Sequence, residues 1–224
     1  METASQISVV IPTLNAAPGL AAAMESVRAA ALEIVVADGG SSDDTIGVAL
    51  AEGARVIASE KGRGQQLRAG AAAATGDWLL FLHADTCLSD GWDAAAFAAD
   101  PANEFRAGVF AFALDDDSPP ARRVERLVAW RTRYLGLPYG DQGLLISRAF
   151  YDRLGGYRPL PLMEDVDMVR RIGRRHLSVL GAAAVTSAVR YRRGGWWARP
   201  ARNLFCLSLY FLGVSPDFLA RVYR

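Results

Sequence analysis

The segment Asp77-Trp78-Leu79-Leu80-Phe81-Leu82-His83-Ala84-Asp85-Thr86 constrains the fold more than any other part of the chain. Its apolar run is too short for a helix and ends abruptly in polar residues. That is the pattern of a strand buried on both faces of a parallel sheet. In open α/β sheets, ligands bind just outside the carboxyl ends of the strands. The run therefore brings Asp85 to a ligand rim. A carboxylate there suits a divalent cation, and a cation suits a phosphorylated substrate. The alternative is a carboxylate that only caps a following turn or helix.

Alternating segments extend this reading. Strands are expected at residues 7–11, 33–37, 54–59 and in the run ending at His83, with helices at 18–31, 45–52 and 64–74 between them. Such alternation implies an α/β fold whose parallel sheet has right-handed crossovers. The second half is less regular. It offers a strand at 107–114, an arginine-rich helix at 120–134, and a turn at Gly140-Asp141-Gln142-Gly143 before the apolar Leu144-Leu145-Ile146. A helix at 164–175 carries acids first and arginines last, as the helix dipole prefers. No repeat or linker interrupts the chain, and 224 residues at 51% hydrophobic composition suffice for one well-cored domain.

A net charge of +1 directs no strong field at nucleic acid. Cys87 and Cys206 lie far apart, match no metal spacing, and read as reduced thiols of a cytosolic protein. No secretory signal pattern is visible at the N-terminus. Residues 204–214 are almost wholly apolar but fall short of the ~20 residues that span a bilayer. Arginines flank them, so three readings stand: a core helix, a dimer face, or an interfacial helix on anionic lipid.

Three strands of the first half end in polar clusters on what should be one edge. These are Thr13 with Asn15, Asp38 with Ser41, Ser42 and Asp43, and His83 with Asp85 and Thr86. Two common nucleotide motifs are absent. There is no P-loop, and Gly62-Arg63-Gly64-Gln65-Gln66-Leu67 lacks the third glycine of a dinucleotide fingerprint. Arg63 and Gln66 read either as diphosphate or base contacts or as part of a surface turn.

The ordered series of motifs resembles a known family. It runs Val9-Val10-Ile11-Pro12-Thr13-Leu14-Asn15, Val36-Ala37-Asp38-Gly39-Gly40-Ser41-Ser42-Asp43-Asp44-Thr45 and Leu82-His83-Ala84-Asp85-Thr86. It continues through Gly140-Asp141-Gln142-Gly143, Leu154-Gly155-Gly156-Tyr157 and Met163-Glu164-Asp165-Val166-Asp167. This is similar to GT-A glycosyltransferases of family 2, most of all to small bacterial members known as radical-SAM/selenodomain-associated transferases. The resemblance implies a single GT-A domain over residues 1–224, a mostly parallel sheet flanked by helices. Residues 1–86 would form its nucleotide-sugar half, and residues 87–224 an acceptor half with the apolar C-terminal helix.

It also implies roles. Asp38 matches the aspartate that contacts the nucleotide base, with Pro12, Thr13 and Asn15 at the nucleoside edge. His83, Ala84 and Asp85 stand where the family carries Asp-x-Asp, and Asp85 matches the aspartate that binds Mn²⁺ or Mg²⁺. His83 is a departure; it suits a metal ligand, a ribose or phosphate donor, or a packed support. Asp165 matches the catalytic base of inverting members, with Glu164 beside it; helix N-terminal stabilisation would explain both acids equally. The processive motif Gln-x-x-Arg-Trp is missing. Tyr191-Arg192-Arg193-Gly194-Gly195-Trp196-Trp197 holds the comparable place, where Arg192 or Arg193 would close over the diphosphate and the tryptophans would stack on a sugar or anchor a surface.

The resulting expectation is a metal-dependent, inverting transfer of one sugar from a nucleotide diphosphate sugar to a hydroxyl. The acceptor is left open, a lipid included, as are homodimerisation and peripheral contact of a cytoplasmic protein with the inner membrane face. A nucleotidyltransferase is the alternative within the fold, although Thr13-Leu14-Asn15-Ala16-Ala17 replaces the glycine-rich loop it would need. A catalytically silent nucleotide-sugar binder is the other alternative, motivated by His83 in place of an acid.

Overall fold

β1 (Ile7–Thr13) shows why the first half folds as its alternation implies. Ile7, Val9 and Ile11 face one way and pack with Leu20, Met24 and Val27 of α1 (Ala17–Arg28), whereas Val10 faces Leu67 and Ala71 of α3 (Arg63–Ala73). A strand covered by helices on both sides has no solvent face to mark with polar residues. The computed structural model, which describes residues 6–92 and 94–223, repeats this arrangement in β2 (Glu33–Asp38), α2 (Thr45–Ala51), β3 (Arg55–Ala58) and β4 (Trp78–Phe81). β2 and β4 flank β1, β3 lies beyond β2, and all four run parallel. Chain direction across the sheet reverses between β1 and β4, the topological switch point at which open α/β sheets bind ligands.

The second half completes one eight-stranded sheet in the order β3-β2-β1-β4-β7-β6-β8-β5. It adds β5 (Thr86–Leu88), α4 (Ala94–Ala99), β6 (Ala107–Leu114), α5 (Pro119–Trp130), β7 (Leu144–Ser147), α6 (Arg148–Arg153), α7 (Glu164–Ile172) and β8 (Leu177–Thr186). Here the sheet departs from a purely parallel one. β7 runs antiparallel to both β4 and β6, and β5 runs antiparallel to β8. β8 was not expected, because Gly181-Ala182-Ala183-Ala184 has little strand propensity. It forms because Ala182 and Ala184 bury against the core that contains Phe110 and Leu88.

Two expected helices end early. The arginine-rich one is α-helical to Trp130 and finishes in a π turn over Arg131–Leu135. α7 stops at Ile172 because Gly173 takes φ +78°, which an L side chain rarely adopts. The chain then passes through α8 (Val189–Gly194) into α9 (Ala198–Phe211) and α10 (Pro216–Tyr223). α9 and α10 form an antiparallel hairpin, closed by a hydrogen bond from Tyr223 Oη to Asn203 Oδ1 (2.8 Å). Cys206, Leu207 and Leu219 of the hairpin bury against Val166 and Val169 of α7. One face of the apolar C-terminal segment is thus core. Cys87 and Cys206 are free thiols. No helix among the described residues is long and apolar enough to cross a membrane.

Candidate active site

The ends of β1 and β2 are tied into one rim. Asp38 is 3% exposed and accepts hydrogen bonds from Thr13 Oγ1 (3.0 Å), the Gly40 amide (2.9 Å), and both the amide and hydroxyl of Ser41. Burial works against its charge, but the Ser41, Thr13 and Gly40 bonds outweigh that and hold the carboxyl below the usual aspartate range. Asn15 joins the two loops: its amide donates to Ser41 Oγ (2.9 Å) and its Oδ1 accepts from the Ser42 amide (2.8 Å). Pro12, half-buried, pairs with Ala37 in the strand register. Gln66, in the first turns of α3, is buried and gives its side-chain amide to the carbonyls of Thr13 and Ala37. It braces the rim from beneath.

The end of β4 supplies the next part. Ala84 is packed in the core. Asp85 is partly exposed, and its Oδ2 lies 3.4 Å from the guanidinium of Arg190 on α8. His83 points instead into a cleft that it shares with Arg63, Tyr157, Gly140, Glu164 and Asp165. Gly140 has no side chain for a steric reason: a Cβ there would lie 2.6 Å from His83 Nε2. The Gly140 amide donates to Asp165 Oδ2 (2.8 Å), while Asp165 Oδ1 accepts from the Val166 amide (2.7 Å). Gln142, buried, holds the same loop by accepting from Thr132 Oγ1 and donating to the Phe110 carbonyl.

α7 brings the acid pair to this cleft. Its N-cap, Met163, has φ +66°, and with Asn15 it is one of two non-glycine residues of positive φ among those described. Both flank the rim or cleft, where stored backbone strain tends to concentrate. Glu164 is 2% exposed and lies 3.4 Å from Arg63 Nη1. Burial raises its proton affinity, Arg63 opposes, and the Asp165 charge adds to the rise, leaving it at about 7. Arg63 itself loses by burial but is held charged by Glu164, Asp165 and Asp85. Asp167 is fully engaged elsewhere, clamped by Arg158 (2.9 Å) and Arg171 (2.7 Å).

The arginines after β8 are arranged differently from expectation. Arg192 pairs with Asp116 (2.8 Å) on the β6–α5 connection, and the Arg193 side chain lies outside the described residues. Among the described side chains of this segment, Arg190 is the one that reaches the rim, at Asp85. Several arginines sit close together in that segment, and no sequence signal separates them. Trp196 stacks on Tyr191 with ring centroids 5.8 Å apart, and Trp197 is exposed.

Among the described residues, no three His, Cys, Asp or Glu side chains converge as a ready-made metal site. Asp85 already faces a cation and stands at the switch point, with His83 two residues before it. One or two side-chain ligands fit an ion whose remaining oxygens come from a bound diphosphate and water, the usual habit of Mg²⁺-like ions in phosphate sites.

A switch-point rim built from β1, β2 and β4, with an antiparallel β7 carrying the sheet onward to an acid pair, is the architecture of GT-A glycosyltransferases. The chain belongs to glycosyl transferase family 2, whose model matches residues 8–136, more than half its length. It is similar to a PGL/p-HBAD biosynthesis glycosyltransferase of Mycobacterium tuberculosis, at 37% identity over 106 residues. That match covers 43% of this chain and only 41% of the relative. Glucosyl-3-phosphoglycerate synthase of M. tuberculosis, solved with Mn²⁺, UDP and glucosyl-3-phosphoglycerate, superposes with a TM-score of 0.56 at 22% identity. That superposition covers 81% of this chain and 70% of the other. GalNAc-T7 with UDP, GalNAc and Mn²⁺ gives a TM-score of 0.62 at 19% identity, over 84% of this chain and 44% of that one.

Proposed function

We propose that the protein transfers one sugar from a nucleoside diphosphate sugar to an acceptor hydroxyl, with inversion and with a divalent metal. One observation carries this reading: Arg63, 3.4 Å from Glu164, shares one cleft with His83, Glu164 and Asp165, so the end of β4 and the acid pair of α7 meet at one cation. Residues 1–86 would serve as the donor half and residues 87–224 as the acceptor half of a single domain. Within the family, the motif series favours the small bacterial radical-SAM/selenodomain-associated group, which names no substrate.

Asp85 would hold Mn²⁺ or Mg²⁺ together with the diphosphate, with His83 supporting the site from the adjoining cleft. When bound, the metal offsets charge on the leaving diphosphate. The chain's own groups do the rest. Pro12, Thr13, Asn15 and the Asp38 loop border the nucleoside, and Arg63 and Arg190 add positive charge near the phosphates. Asp165 takes the acceptor's hydroxyl proton as the acceptor oxygen bonds to the anomeric carbon. The bond from that carbon to the diphosphate breaks, and the diphosphate leaves with the electron pair. The Gly140 and Val166 amides fix the Asp165 carboxylate in orientation. A second reading gives the base role to Glu164, because its proton affinity lies near neutrality. Its burial and its bond to Arg63 favour a supporting role instead.

Thermal shift tests the donor site. UDP with Mn²⁺ should raise the melting temperature more than either alone, since ligand binding stabilises the native state by mass action. Asp85→Ala should abolish the metal-dependent part. A full metal-dependent shift in that variant would remove Asp85 from the site.

A further inference from the structure

The C-terminal hairpin is apolar on its outer face as well as its inner one. α9 buries Cys206 and Leu207 but turns Leu204, Phe205, Phe211 and Leu212 outward, at 62%, 55%, 48% and 80% exposure. Their spacing, with Ser208 between, follows i, i+1, i+4, i+7, i+8 and so forms one stripe along the helix. α10 does likewise, burying Leu219 and exposing Phe218 and Val222. Exposed apolar side chains gathered along two adjoining helices in this way mark a contact with a partner or a membrane.

Charge selects the occupant. Residues 198–224, the hairpin itself, contain four arginines and a single acid, Asp217, for a net +3. The remaining 197 residues hold 21 basic and 23 acidic groups, a net of −2, which restores the whole-chain +1. A second copy meeting this face through a two-fold axis would bring +3 against +3. An anionic bilayer surface complements it: aromatic and aliphatic side chains enter the acyl boundary while arginines such as Arg202 and Arg221 stay at the headgroups.

We propose that the α9–α10 hairpin is an interfacial anchor that docks the protein on an anionic lipid surface. The inner face of the same hairpin packs on α7, in a cluster that includes Met163, directly before Glu164 and Asp165. Docking would therefore hold the acid pair near the lipid headgroups. The proposal concerns where the protein binds and does not depend on the transfer reaction.

Vesicle flotation tests it with the full chain. The protein should float with vesicles of phosphatidylglycerol and phosphatidylcholine at low salt, release as salt rises, and stay behind with phosphatidylcholine alone. Phe211→Ser combined with Leu212→Ser should weaken partitioning on the order of tenfold or more. Phe205→Ser provides an independent check. The melting temperature should fall little in each, because the replaced side chains are largely exposed and Phe211 gives up a surface contact with the Arg170 guanidinium (4.9 Å). Failure to float with anionic vesicles at low salt, or flotation indifferent to these substitutions, overturns the proposal. So does a dimer seen by light scattering that the same substitutions disperse, since a second copy would then cover the face.

Discussion

Replacing Glu164 by glutamine isolates the cost of a buried carboxylate at the head of α7. Burial, set against Arg63 and reinforced by Asp165, moves this group from 4.5 to about 7. A folded-state value above the unfolded one means that the native protein holds the proton more tightly. Its stabilising effect is full below about 4.5 and is lost as pH rises through about 7. At about 1.4 kcal/mol per tenfold in proton affinity, ionising Glu164 costs the fold about 3 kcal/mol above neutrality. Glutamine keeps the volume, cannot ionise, and still offers an oxygen to Arg63. The value of about 7 already includes the pull of Arg63 on the carboxylate. Glu164→Gln should therefore be more stable than wild type near pH 8 by about 3 kcal/mol, and close to level with it near pH 5. Urea unfolding followed by circular dichroism at several pH values in that interval reads both. A variant destabilised by the same amount at both ends would refute the reasoning, because the ion pair with Arg63 would then outweigh the burial of the carboxylate.

Asp165→Asn keeps an acceptor oxygen for the Gly140 amide but removes proton acceptance; turnover should fall by about 10²-fold or more while donor affinity stays within a few-fold, and a variant that loses donor binding instead would assign Asp165 to the donor site. Gly140→Ala would force a Cβ to within 2.6 Å of His83 Nε2, so the ring or the loop must shift. A stability loss of about 1–3 kcal/mol is expected, together with lower turnover as Asp165 loses its anchored orientation, and unchanged melting and activity would show that the loop yields freely.

The rim at the ends of β1 and β2 was legible because strand and rim signals are local. Apolar runs stop, polar residues begin, and the side chains that follow meet within a few residues of their own strands. Asp38 with Thr13 and Ser41, and Asn15 with Ser42, are of this kind. The cleft was less legible because its contacts are distant in sequence. Arg63 meets Glu164 across 101 positions, and no periodicity announces such a pairing. Gln66 shows a subtler limit. Its polarity suggested reach toward a ligand, yet the first turns of α3 lie beneath the ends of β1 and β2, so its amide serves two backbone carbonyls. β8 stayed hidden because alanine and glycine carry no strand pattern of their own and take it only from their neighbours in the sheet.

β7 has a consequence for how such a protein can be built and rebuilt. Until residues 144–147 exist, β4 stands with one edge of Trp78, Leu79, Leu80 and Phe81 open, and on that side Phe81 finds its strand partner in Leu144. An open edge of that kind pairs with whatever strand comes within reach. A nascent chain is therefore exposed to mispairing until well over half of it has been synthesised. For the same reason the parallel strands are not a detachable cassette. A chimaera that grafts them onto another relative's second half has to carry β7 with them, which leaves the loops and helices on either side of that strand as the exchangeable parts.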